Sequence, residues 1–113
     1  MGKKTYKECT HFLLPITDAL EVINCKWKLP IIISLWSGNT RFREIERSIP
    51  KITSKVLAKE LKTLEENLLI KRTTFEDSPL IEYTIEPYAK TLRPVIDALQ
   101  SWGVNHRDKI KGN

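Results

Sequence analysis

The chain has 113 residues, 19 lysines and arginines against 14 acids, a net charge of +5, and 41% hydrophobic residues. That is enough for one thin apolar core and no second domain, with a basic excess that points to a polyanion or an anionic surface. Two cysteines, Cys9 and Cys25, make no disulfide framework, and the longest apolar run, LPIIISLW at 29–36, is too short to span a bilayer.

The opening MGKKTYKECTHF lacks the apolar run of a signal peptide. A reduced, cytoplasmic protein is expected, with residues 1–12 as an N-terminal arm. Pro15 then sits where a helix can start, and Ile16, Ala19, Leu20 and Ile23 follow at helical spacing. KWKLPIIISLWS (26–37) reads as a second helix, with Pro30 in its first turns and Gly38 as its stop. Phe42, Ile45 and Ile49 share one side of a third short helix over 41–49, which Pro50 ends.

ITSKVLAKELKTLEENLLIKRT carries the fourth helix, 54–67, capped by Thr53 or Ser54 and stopped near Asn67. LLIKRTTFE and LIEYTIE read as two strands joined by the turn EDSP. Pro87 opens a last helix over 88–102, which Pro94 should bend, and the tail from 104 is polar and expected to fray. The fold class expected is mainly α with a small β-hairpin: helix-turn-helix over 41–67, wing hairpin over 69–86, C-terminal helix over 87–103.

An α-helix turns about 100° per residue, so Lys59 and Lys62 fall within about 40° of Lys55. Leu57, Leu61, Leu64 and Leu68 collect on the opposite side. Leucines would hold the helix to the domain while ammonium groups face outward. Any amphipathic helix has a charged outer face, and Glu60, Glu65 and Glu66 share this one. The order of elements and the surrounding cations favour DNA. Arg41, Arg43 and Lys51 flank the helix-turn-helix, and Lys71 and Arg72 open the hairpin. Thr53, Ser54 and Lys55 lie at the helix N-terminus, the end that commonly meets base edges. The wing tip, with Glu76, Asp77 and Glu82, should touch DNA only lightly, leaving Arg72 and Thr73 at its base for phosphates.

Other chemistries fare badly. His11 and His106 stand at opposite ends, and neither a Gly-rich phosphate loop nor a nucleophile elbow is present. Asp18 and Glu21 read as solvated side chains. Cys9, His11 and Cys25 lack zinc-ligand spacing. No catalytic residue, cofactor or metal is expected. Membrane-surface binding through Arg107, Lys109 and Lys111 has little apolar face behind it.

Several stretches together resemble the HxlR-type transcriptional regulators, winged-helix proteins related to MarR regulators. Lys26-Trp27 opens the second helix as in that family, followed by Gly38-Asn39-Thr40-Arg41-Phe42-Arg43-Glu44-Ile45 for its G-x-x-R-F-x-E-L segment. Ile52 to Leu64 matches its I-S-x-K-x-L-x-x-x-L-x-x-L helix, with Thr53 for the commoner serine, and Ile81 to Pro87 matches V-E-Y-x-L-T-P. The resemblance spans about residues 13 to 103.

It implies a homodimeric DNA-binding regulator paired through its first and last helices, with Leu20, Ile23, Val95, Ile96, Leu99 and Trp102 as interface candidates, or else as ordinary core. Many members carry a cysteine directly before the proline of the first helix; here that residue is Leu14. Cys9, five residues earlier, is then the candidate redox sensor, with Cys25 second and inert thiols the default. The expected partners are double-stranded DNA and a second copy of the chain, with an unidentified effector. The alternative is a winged-helix module that binds an acidic protein.

Overall fold

The computed structural model describes residues 2–3, 5–23 and 26–112. Five α-helices and one antiparallel hairpin follow in the order α1 (Tyr6–Ile23), α2 (Lys28–Trp36), α3 (Phe42–Ser48), α4 (Ser54–Glu66), β1 (Ile70–Phe75), β2 (Ser78–Ile85), a 3-10 segment (Pro87–Leu92) and α5 (Arg93–Ile110). The architecture is the winged helix-turn-helix expected.

One core holds α2, α3, α4 and the base of the wing together. Ile31, Ile32 and Leu35 of α2 meet Ile45 and Ile49, then Leu57, Leu61 and Leu64 of α4, with Leu69, Ile70 and Ala89 closing the far side. The leucine row of α4 therefore faces inward as its spacing predicts, with one exception. Leu68 is exposed and takes φ 65°, while Leu69 turns into the core. This ends α4 in a Schellman motif: Leu68 N–H donates to the Glu65 carbonyl and Leu69 N–H to the Leu64 carbonyl, both at 3.0 Å. A left-handed leucine is strained, since its Cβ crowds the backbone. Leu68→Gly should therefore raise stability, by about 0.5 kcal/mol after the extra flexibility of the unfolded chain is counted. A urea titration that shows a loss would contradict this.

At the other end, Thr53 is the cap: its Oγ1 accepts the Val56 N–H at 3.2 Å. Gly38 ends α2 at φ 102°, a conformation closed to most side chains. The wing pairs Ile70 with Ile85 through Thr74 with Ile81, and an irregularity follows at Thr74/Phe75. Its second strand also reaches back, as Tyr83 N–H donates to the Thr40 carbonyl at 2.8 Å. That bond ties the wing to the start of the helix-turn-helix.

The two ends of the chain depart from expectation. Residues 6–12 are not an arm; α1 begins at Tyr6 and runs through Pro15. Proline leaves the His11 carbonyl without its helical donor, but both residues are exposed and water can satisfy it. Pro94 does not bend a helix interior, because it occupies the first turn of α5, where a missing N–H costs nothing. Beyond it α5 continues to Ile110, so the tail is helical rather than frayed.

Neither terminal helix is well covered. α5 contains no buried residue, and α1 has only Ile23. The radius of gyration is 17.6 Å, against about 13 Å for a compact domain of this length. The molecule measures 63 × 38 × 24 Å because these helices project from the core. Among the described residues no helix is long and apolar enough to cross a membrane.

Candidate nucleic-acid interface

α3 and α4 are set against each other by the turn 49–53, in which Lys51 takes φ 67°. Ser54 Oγ donates to the Glu46 carboxylate, stitching the start of α4 to α3. Glu44 does the same for the start of α3. Its Oε1 accepts the N–H groups of Thr40 at 3.1 Å and Arg41 at 3.0 Å, half of a capping box.

Those two N–H bonds, Thr40 first, hold the Glu44 carboxyl below its ordinary value of 4.5, and the nearby Arg41 and Arg47 charges add to the effect. The folded state thus binds this proton less readily than the unfolded chain. The stabilisation is present above pH 4.5 and is lost as pH falls below it. Glu44→Gln should lower the urea midpoint at neutral pH, with the gap from wild type narrowing as the pH falls below 4.5. A gap that stays constant with pH would remove the carboxylate's charge from the account.

On the outer side of α4, Lys55, Lys59 and Lys62 are all exposed, and none of them joins an ion pair among the described residues. Thr53 and Ser54 are exposed too, though each already has a local bond: Thr53 as cap, Ser54 to Glu46. Thr53 keeps its hydroxyl proton, and Ser54 keeps its lone pairs. Glu60 does not share this face, contrary to the sequence reading; about 140° from Lys55 around the helix, it is 7% exposed and turned toward the domain. The cationic side is therefore less diluted by acids than the sequence implies.

Lys62 and Arg72 meet across a notch of about 280 Å³ between α4 and the wing, lined also by Ala58, Glu65 and Tyr83. Periodicity along α4 could not find this pairing, because Arg72 arrives from a strand. Arg43 is exposed on α3. Arg41 and Thr73 are differently placed. Arg41 reaches Glu82 at 3.5 Å, and Thr73 sits opposite Glu82 in the hairpin register. Glu76 and Asp77 of the wing tip share a hollow with Arg41. That guanidinium faces the protein's own carboxylates and latches wing to helix.

This geometry, a capped cationic helix behind a three-helix core with a wing at its side, can be compared with known proteins. The HxlR-like helix-turn-helix family model matches residues 22–111. The chain belongs to that family. This HxlR-like chain is 34% identical over 114 residues to the HTH-type transcriptional regulator YtcD of Bacillus subtilis (strain 168), covering 100% of the chain and 86% of YtcD. Among solved structures it is similar to the redox regulator HypR in its reduced form, at TM-score 0.77 and 30% identity, covering 88% of this chain and 99% of HypR. It is equally similar to a MarR-family transcriptional regulator from Enterococcus faecalis V583, at TM-score 0.76 and 31% identity, covering 99% and 98%. The HxlR-like protein is a transcriptional regulator of helix-turn-helix type.

The remaining sequence candidates lie on its terminal helices. Leu20, Val95, Leu99 and Trp102 are exposed, Trp102 at 67%, and Ile96 is half-buried. Ile23 is 7% exposed within the single chain. At about 100° per residue, Val95, Leu99, Trp102, His106 and Ile110 form one stripe along α5. His106 stacks on Trp102 with ring centroids 4.7 Å apart. His106 and Ile110 were missed in the sequence because the helix was taken to end before them. On α1, Tyr6, Cys9, Leu13, Ile16 and Leu20 form a matching stripe by the same arithmetic. Cys9 is exposed there; Cys25 lies outside the described residues.

Proposed function

We propose that the protein is a homodimeric, sequence-specific DNA-binding regulator that places α4 in the major groove. The observation that carries this is the unpaired cationic side of α4: Lys55, Lys59 and Lys62 exposed together beside Arg72 of the wing. Lys55, Lys59, Lys62, Arg43 and Arg72 contact phosphates. Thr53, Ser54 and Lys55, at the capped N-terminus, read base edges. Arg41 and Thr73 contact phosphates more weakly, since Glu82 pairs with the Arg41 guanidinium and stands opposite Thr73.

Two copies pair through the exposed stripes of α1 and α5. Leu20, Val95, Ile96, Leu99 and Trp102 form the contact, lengthened by His106 and Ile110. Two-fold symmetry then sets the recognition helices about 34 Å apart, on successive turns of one face of the duplex. The deciding experiment is a gel-shift titration of the chain against DNA from upstream of its own coding region. Saturable binding that prefers this DNA over a shuffled duplex supports the reading. Absence of any shift at low salt would sink it and leave an acidic protein as the partner.

A redox response through Cys9 is a second reading, favoured by the exposed position of that thiol on α1 and by the likeness to HypR. The gel shift repeated with diamide checks it. An oxidant effect that survives Cys9→Ser disposes of Cys9 as sensor.

A further inference from the structure

The start of α4 carries two exposed hydroxyls with opposite hydrogen-bonding roles. Thr53 Oγ1 accepts the Val56 N–H at 3.2 Å, so its proton stays free to donate. Ser54, the first residue of α4, is not needed as the cap. Its Oγ donates instead to the carboxylate of Glu46, on α3. A carboxylate only accepts, so the direction of this bond is fixed. What Ser54 turns outward is an oxygen with lone pairs and no proton. The negative charge behind it polarises the hydroxyl and strengthens that oxygen as an acceptor.

Ser54 also stands in line with the cationic side of α4. At about 100° per residue, Ser54, Ala58 and Lys62 form one row, and Lys55 lies beside Ala58 and Lys62. All four are exposed. Ala58 contributes only a methyl group, so along this row the helix can come close to base edges. Lys62 meets Arg72 of the wing at the far end of the row.

We propose that Glu46 is a positioning residue for base recognition: it holds Ser54 as an acceptor, and Ser54 therefore selects a base with a major-groove amino group, adenine or cytosine. This selection rests on the operator reading of α4 and names one base class within it. In the major groove adenine N6 and cytosine N4 carry donor hydrogens, whereas guanine O6 and thymine O4 are acceptors. To bond an acceptor, Ser54 would have to give up its charge-assisted bond to Glu46, which is stronger than a neutral one. Thr53 has the opposite bias, toward guanine or thymine. Glu46 touches no base itself and acts through Ser54.

The test takes a duplex selected by the full chain from a randomised pool and deletes one amine of the half-site at a time. Purine replaces adenine, and 2-pyrimidinone replaces cytosine. At one position, loss of the amine should weaken wild-type binding about fivefold and leave Ser54→Ala unaffected. The paired comparison cancels whatever the analogue does to the duplex itself. In Glu46→Ala the freed hydroxyl can donate or accept, so the same deletion should cost only about twofold or less. Glu46→Gln, whose amide donates as well as accepts, should relax the ratio in the same way, with helicity checked by circular dichroism for every variant. If Glu46 merely docks α3 on α4, both Glu46 variants weaken the two duplexes alike and the fivefold ratio persists; that result overturns the positioning role. A half-site in which no amine is coupled to Ser54 overturns the base assignment, as does a pool that yields no preferred duplex while the chain still binds DNA. Failure to bind any duplex at low salt overturns the operator reading along with it.

Discussion

Replacing Lys55, Lys59 and Lys62 together by alanine is expected to flatten the salt dependence of operator binding by about 2.7 log–log units for each subunit bound. Each neutralised phosphate releases counterions and contributes a slope of about −0.9 on B-form DNA. Three exposed ammonium groups with no ion pair among the described residues can each neutralise one. Between 50 and 200 mM salt, wild type should lose about fortyfold more affinity per subunit than the variant, from that slope. Alanine is a good helix former and all three sites are exposed, so α4 itself should persist. A control with equal charge loss, Lys90, Lys109 and Lys111 to alanine, removes net charge without touching α4. If both triple variants show the same slope, the effect is only net charge and α4 loses its assignment.

The second large effect concerns the α5 stripe. Leu99 and Trp102 are 48% and 67% exposed in a single chain. In the proposed dimer both are covered, twice over by symmetry. Fully burying such a side chain is worth about 1.5–3 kcal/mol. Leu99→Glu with Trp102→Glu removes four such contributions and brings like charges together. Scaled by those exposures, a loss of about 3.5–7 kcal/mol follows, or about two and a half to five decades in the dimer dissociation constant. Sedimentation should show the wild type as a dimer and the variant as a monomer of unchanged helicity. Operator affinity should also fall, because a monomer presents one recognition helix and forfeits the gain from simultaneous engagement. A wild type that sediments as a monomer at all accessible concentrations would remove the dimer from the proposal, and the projecting helices would need another partner.

These two surfaces differ in how they could be read. The lysine row was legible because its members lie on one helix, and helical period alone places them together. Thr53 as cap and Gly38 as stop are likewise local. The burial of Glu60 was legible by the same period, which sets it about 140° from Lys55, but was overlooked. The diversion of Arg41 toward Glu82 was not legible, because it depends on what the fold brings against α3 from a distant segment. The same holds for the notch that joins Lys62 to Arg72.

By itself, then, the sequence determined the order of elements, the inward leucines and outward lysines of α4, and the family, because each of these is written in spacing and turn chemistry over a few residues. The tertiary structure alone decided how far the terminal helices run and what the acids face. Pro15 and the polar segment after 103 look like boundaries locally, yet α1 passes through the one and α5 through the other. A proline's missing hydrogen bond or a polar stretch shifts helix stability by only a few kcal/mol. Effects of that size are too small for either feature to mark a helix end, whereas the Arg41–Glu82 pair joins segments far apart in the chain, which a local pattern does not contain.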